Sequence, residues 1–268
     1  MNSTLAVLVA CASLPAMGAN PLYVFDNGVG RGDISIDAQA ELTKKTGYAG
    51  IFYSGVADIP QLIEAHRTRG MKVLGIYTGM NLSDATPGYD PGLPDAIRQL
   101  KGTGALITFT VNGKAPDGDA ITVAVIREVA DLAARAGLNV ALYPHYGMHI
   151  ARIEDALRVV EKVDRGNLGI VFNLCHWLRS GDEANLNLRL KQALPHIMMV
   201  SINGADHQGD WDQLIQPLDR GSFDVRGFLR TMISMDYRGP IALQCYNVRG
   251  DRETNLRRSM NAWRSFGF

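Results

Sequence analysis

The chain has 268 residues and balances 27 Lys and Arg against 27 Asp and Glu, so its formal net charge is zero. That balance lacks the basic excess a nucleic-acid-binding face carries, and no nucleic-acid partner is expected. A hydrophobic content of 46% suits a globule with a large core, and apolar runs spread evenly without a Pro/Ser-rich linker favour one domain over two.

The first feature in chain order is an apolar and small-residue run at 5–14, followed by Pro15 and the small-residue site Ala16-Met17-Gly18. It has the h-region and cleavage site of a secretory leader, lacks a Lys or Arg before it, and is too short to span a bilayer. Residues 1–19 are therefore expected to be a signal peptide. The mature chain should begin near Ala19, continue as one domain over 20–268, and be exported to the periplasm or beyond without stable membrane insertion. Leu8-Val9-Ala10-Cys11 also fits a lipoprotein cleavage box, which leaves a lipid-anchored form as an alternative, with cytoplasmic retention as the other.

A strand is predicted at 22–26, ending in Asp26-Asn27, and the loop after it holds Gly28, Gly30 and Gly32, as a tight active-site turn would. A helix over 36–46 carries Asp37 in its first turn and stops at Gly47. The strand at 49–53 leads to a helix over 59–69 closed by Gly70. The strand at 72–77 opens a long segment, 78–94, rich in Gly, Pro, Asp and Asn, which reads as a lid or binding loop. After the strand at 105–111 comes the clearest helix, where Val125, Val129, Leu132 and Ala136 recur at three- and four-residue steps before Gly137. Further strands are predicted at 139–144, 168–174, 197–202 and 240–246, and further helices at 153–163, 183–193, 225–235 and 252–266. Arg252, Arg257, Arg258 and Arg264 on the last helix read as a solvated face.

Strands apolar on both faces belong in a parallel sheet covered by helices. Eight strand–helix units predict an α/β fold of a single (β/α)8 barrel, with chemistry at the C-terminal strand ends. Those ends carry Asp26, Tyr143, His145, Asn173, His176, Trp177, Asn203 and Gln244. His145 and His176 are the candidate acid–base residues, since an unperturbed imidazole titrates near neutrality. Asn173, Asn203 and Gln244 suit sugar hydroxyls, Tyr143 and Trp177 suit a sugar face, and Asp26 suits a hydroxyl, a histidine or the loop that follows it. His66, His149 and His196 are expected on the surface. Cys175 and Cys245 read as core thiols on different layers, and the three cysteines form no disulfide framework. No nucleophile elbow, Walker loop or CxxC pair is present.

Four segments carry a resemblance: Ala-Leu-Tyr-Pro-His-Tyr-Gly at 141–147, Gly-Ile-Val-Phe-Asn-Leu-Cys-His at 169–176, Val-Ser-Ile-Asn-Gly-Ala-Asp at 200–206 and Tyr-Arg-Gly-Pro-Ile-Ala-Leu-Gln at 237–244. With the glycine turn at 218–224 and Thr-Gly-Tyr-Ala-Gly-Ile at 46–51, the chain resembles the xylose isomerase-like TIM barrels: sugar isomerases, keto-sugar epimerases and AP endonucleases. The resemblance implies a divalent cation such as Mn2+ or Mg2+ held by Glu, Asp, His and Glu on strands five to eight. At those positions this chain has Tyr143, Asn173, Ser201 and Gln244. No carboxylate remains, so no cofactor and no metal ligand is expected here, although Asp206 and His207 lie close to the third position. The expected function is a sugar isomerase- or epimerase-like protein acting on or binding a small carbohydrate or keto-sugar. Its alternatives are a non-catalytic carbohydrate-binding protein, or a lyase or hydrolase acting on keto-glycosides.

Overall fold

The computed structural model describes residues 20–86 and 88–268. The candidate leader lies outside the described residues. Eight parallel strands close in sequence order, β1-β2-β3-β4-β5-β6-β7-β8, with β8 pairing back to β1 through Val24 and Leu243. The strands are β1 Leu22–Phe25, β2 Gly50–Ser54, β3 Lys72–Asn81, β4 Leu106–Asn112, β5 Asn139–Leu142, β6 Leu168–Asn173, β7 Ile197–Ile202 and β8 Ile241–Leu243. The helices between and after them are α1 Ile36–Lys45, α2 Ile59–Arg67, α3 Leu93–Gln99, α4 Gly118–Arg135, α5 Ile153–Val163, α6 Leu174–Arg179, α7 Leu186–Ala193, α8 Trp211–Leu214, α9 Val225–Ser234 and α10 Arg252–Phe266. The protein is a single (β/α)8 barrel.

The double-sided apolarity of the strands now has a physical explanation. Alternate residues point inward or outward. Phe25, Phe52, Leu74, Val171 and Met199 fill the barrel interior, whereas Val24, Ile51, Ile107 and Phe172 pack outward against the helices. Helix starts are fixed by side-chain caps: Ser35 accepts from the Ala38 amide, Asp224 from Gly227 and Asp251 from Thr254. Before α9, Gly221 sits at φ 96° with its α-carbon against the Ala205 carbonyl, so a side chain there would collide with backbone.

Three expectations are corrected. The segment at 78–94 is not all loop, because β3 runs to Asn81 and pairs Thr78, Gly79, Met80 and Asn81 with the end of β4; α3 begins at Leu93. The 183–193 helix is split into a short 3-10 turn, Glu183–Asn185, and α7, and a further short helix, α6, starts directly at the end of β6. His66 is fully buried rather than on the surface, with Nδ1 bonded to the Leu62 carbonyl at 2.8 Å. No helix among the described residues is long and apolar enough to cross a membrane.

Candidate active site

A cavity of about 770 Å3 opens at the C-terminal ends of the strands. Phe25, Tyr77, Tyr143 and Gln244 form its floor. One wall comes from the loops after β5, β6 and β7 and presents His145, His176 and Trp211. The opposite wall comes from the loops after β8 and β1 and presents Tyr246, Arg249, Asn27 and Arg31.

His145 and His176 stack with ring centroids 3.7 Å apart. The Tyr146 backbone meets them with groups of opposite sense. Its N–H donates to His176 Nδ1 at 3.3 Å, and its carbonyl faces His145 Nδ1 at 3.2 Å. An amide N–H can only donate and a carbonyl can only accept. His176 is thereby set to carry its proton on Nε2, and His145 to carry its proton on Nδ1 and keep a lone pair on Nε2. Burial disfavours the charged form of both rings. Burial pushes His176 down to about 2, helped by its neighbour His145, and burial also lowers His145. The Trp211 ring packs at 5.2 Å on His176, and Arg179 lies 5.7 and 5.6 Å from the Tyr146 and Trp211 ring centres, which fixes the outer edge of this wall.

The β8–β1 wall is built by hydrogen bonds instead. Gln244 Oε1 accepts from Asn27 Nδ2 at 2.5 Å, from the Cys245 amide at 2.9 Å and from the Tyr246 amide at 3.1 Å. Asn27 Oδ1 accepts in turn from the Cys245 amide at 3.2 Å. The oxygen of Gln244 is thus fully engaged, and only its amide N–H2 remains for other partners. The Tyr143 side chain is 1% exposed beside Ser201 and Gln244, and burial holds its phenol far above the ordinary tyrosine range.

Of the eight candidate residues, Tyr143, His145, His176 and Gln244 line the cavity. The other four stand behind it. Asp26 is fully buried and accepts from the Ser54 amide at 2.7 Å and the Ser54 hydroxyl at 2.9 Å, so it ties β1 to β2; burial raises its pKa. Asn203 donates to the Gly204 and Leu214 carbonyls and holds the loop after β7. Trp177 packs on Phe172 in the helix layer, with ring centres 5.6 Å apart. Asn173 pairs in register with Ser201 but borders a small separate void with Pro144, Trp177 and Ser180; its Oδ1 accepts from the Cys175 thiol at 3.2 Å. Asp206 and His207 are spent elsewhere, on Ser222 and Gln216 and on Glu183 respectively. Cys175 and Cys245 are free thiols, the first buried near Tyr143 and the second packed outward against Gly28.

Arg31, Tyr77, Trp211 and Arg249 were not among the sequence candidates. Arg31 lies in the glycine loop that the sequence marks as a site turn, the one signal pointing to it. Trp211 opens the four-residue helix α8, too short to show a period, and Arg249 sits in a loop without a motif. Among the described residues no three His, Cys, Asp or Glu side chains gather as a metal site would require.

A parallel eight-stranded barrel with a polar cavity at its C-terminal mouth defines a class of enzyme-bearing scaffold. Within that class, the model of the family described as xylose isomerase-like TIM barrel matches residues 95–266, and the chain belongs to that family. Among curated proteins, it is 25% identical over 162 residues to 3-dehydroshikimate dehydratase of Pseudomonas aeruginosa. The match covers 57% of this chain, which spans only about a quarter (25%) of that relative's length. Among solved structures, 3-keto-D-glucoside 4-epimerase from E. coli superposes with a TM-score of 0.74 at 18% identity, covering 92% of this chain and 99% of its own. D-allulose 3-epimerase from Methylomonas sp., solved in complex with D-allulose, superposes with a TM-score of 0.70 at 16% identity, covering 92% and 97%.

Proposed function

We propose that the protein is a sugar-acting enzyme of the isomerase and epimerase kind, which removes a proton from a carbon next to a carbonyl. The observation that carries this reading is the opposite hydrogen bonding of the two stacked imidazoles. His145 Nε2 takes the proton from carbon. The electron pair moves to the carbonyl oxygen, and the neutral His176 Nε2–H donates to that oxygen as charge develops on it. Delivery of a proton from solvent to the other face gives an epimer; return of the proton to the adjacent carbon, with the hydroxyl proton passing between the two oxygens, gives an isomer. Expulsion of a β-hydroxyl gives a dehydrated product, a second outcome favoured by the dehydratase relative. Tyr143 and Gln244 contact the substrate from the floor, while Asp26, Asn173, Trp177 and Asn203 support the lining.

The reaction is proposed to run without a divalent cation, although members of the family are often metal-dependent. The residues do not fit such an ion. Gln244 Oε1 already accepts three hydrogen bonds, Asn173 Oδ1 is held by a thiol, and burial keeps the Tyr143 phenol protonated. Neutral dipoles that are already engaged do not offset the dehydration of a divalent ion. Export through residues 1–19 belongs to the same proposal, and a native protein whose mass starts near Ala19 supports it.

The test is incubation with a panel of keto-sugars and keto-acids in D2O, followed by NMR. Deuterium should enter next to the carbonyl of at least one compound and should be lost in His145→Gln. Binding without exchange, in a panel that saturates the protein, contradicts catalysis and leaves the carbohydrate-binding alternative.

A further inference from the structure

We propose that the substrate is an anion, a sugar acid or keto-acid whose carboxylate is held by Arg31 and Arg249. The inference rests on the proposed use of the cavity as a substrate site and adds the substrate's charge class. The two arginines come from different loops, which become neighbours because β1 pairs with β8. The loops are tied together by Asn27 donating to Gln244 at 2.5 Å and by Arg252 bonding Asp33 at 2.6 Å. Arg31 and Arg249 therefore both line the cavity that His145 and His176 line.

Neither guanidinium makes a side-chain hydrogen bond among the described residues. Arg31 forms one long ion pair, with Asp26 at 3.8 Å, beyond hydrogen-bond reach, and both oxygens of Asp26 already accept from Ser54. Arg249 takes part in no ion pair among the described residues, whereas Arg252, Arg257 and Arg258 on α10 pair with Asp33, Glu253 and Asp219. A planar guanidinium presents a rigid fork that matches a carboxylate, and two such forks on one wall make a seat for one. The remaining lining carboxylate, Asp212, neighbours Trp211 on the histidine side, where it accepts hydroxyl protons and repels a misdirected acid group. A ligand anchored in this way has its carboxylate at the β8–β1 wall and its reacting carbon toward His145 and His176.

The experiment is calorimetric titration of the full protein with matched pairs: D-glucuronate against D-glucose, and D-gluconate against sorbitol. The acid of at least one pair should bind about tenfold or more tightly than its neutral partner, with the preference shrinking in high salt. Arg31→Gln and Arg249→Gln should each weaken the acid about tenfold, about 1.4 kcal/mol, and the double variant should abolish the preference. Arg257→Gln, outside the cavity, should retain it and controls for a nonspecific charge effect, while circular dichroism confirms folding. Equal binding of acid and neutral partner, unmoved by either substitution, overturns the anion seat and leaves the proposed chemistry standing if deuterium exchange persists. Arginine-dependent acid binding with no exchange in any keto-acid overturns the chemistry and leaves the seat. No binding in either series overturns both.

Discussion

The two walls of the cavity hold their geometry by different means. On the β5–β6 side, aromatic and imidazole rings pack on one another, and burial disfavours the charged forms of His145 and His176. On the β8–β1 side, Gln244 and Asn27 bond each other and the backbone, and leave charged groups at the surface of the wall. Desolvation tunes proton affinity, whereas a saturated amide network fixes position without changing charge. The wall of packed rings, with its buried imidazoles, is therefore the one suited to move a proton, and the wall that is bonded and basic is the one suited to hold a substrate.

This division can be broken most sharply at the first wall. His145→Gln should lower the rate of deuterium exchange by about 10²- to 10⁴-fold, the usual contribution of a general base. His176→Gln, which keeps an N–H donor, should cost less than His176→Leu in the same NMR assay. An equal loss in both His176 variants would deny it the donor role. Tyr143→Ala should destabilise the fold by about 3–5 kcal/mol, as for other large buried aromatic residues cut to alanine, and denaturant melts would show it. A much smaller cost would mean that Tyr143 does not fill the floor.

A fourth effect follows from acid. The folded His176 titrates at about 2, below the ordinary histidine value of 6.5. A depressed folded value means that the unfolded chain binds the proton first. The stability contributed is complete above pH 6.5 and declines as pH falls from there toward 2, by about 1.4 kcal/mol per pH unit per proton. Between pH 6.5 and 5 that is about 2 kcal/mol, and His176→Gln should flatten the acid limb of the stability curve by this amount. The smallest effect expected is that of metal removal. Dialysis against EDTA should leave exchange within about twofold, because no engaged neutral oxygen of the floor offers a cation an anionic ligand. A loss restored by Mn2+ would return the site to metal chemistry.

Much of the scaffold was readable because its cause is local. Strands such as Leu168–Asn173 are apolar on both faces, and α5 and α10 begin and end where the sequence predicts. The end of β3 was hidden because Thr78, Gly79 and Asn81 are turn-like residues, yet their backbone groups are satisfied by β4. At six residues, α6 is too short to show a period. His66 was misplaced even though its signal was present, since Ile59, Leu62 and His66 repeat at helical spacing on the buried face of α2. In the site, strand-end position and the family resemblance pointed to Tyr143 and Gln244, and both line the cavity. The direction of Asp26 toward Ser54, and the arrival of Arg31 and Arg249 on one wall, depend on contacts between loops more than 20 residues apart.

The measurement that bears most directly on the central claim is a long-range ¹H–¹⁵N correlation spectrum of the histidine side chains, assigned with His145→Gln and His176→Gln. At pH 7 the account predicts two neutral rings with opposite tautomers, His145 protonated on Nδ1 and His176 on Nε2, and His176 still neutral at pH 5. Matching tautomers, or a charged imidazolium at either position at pH 7, would contradict it.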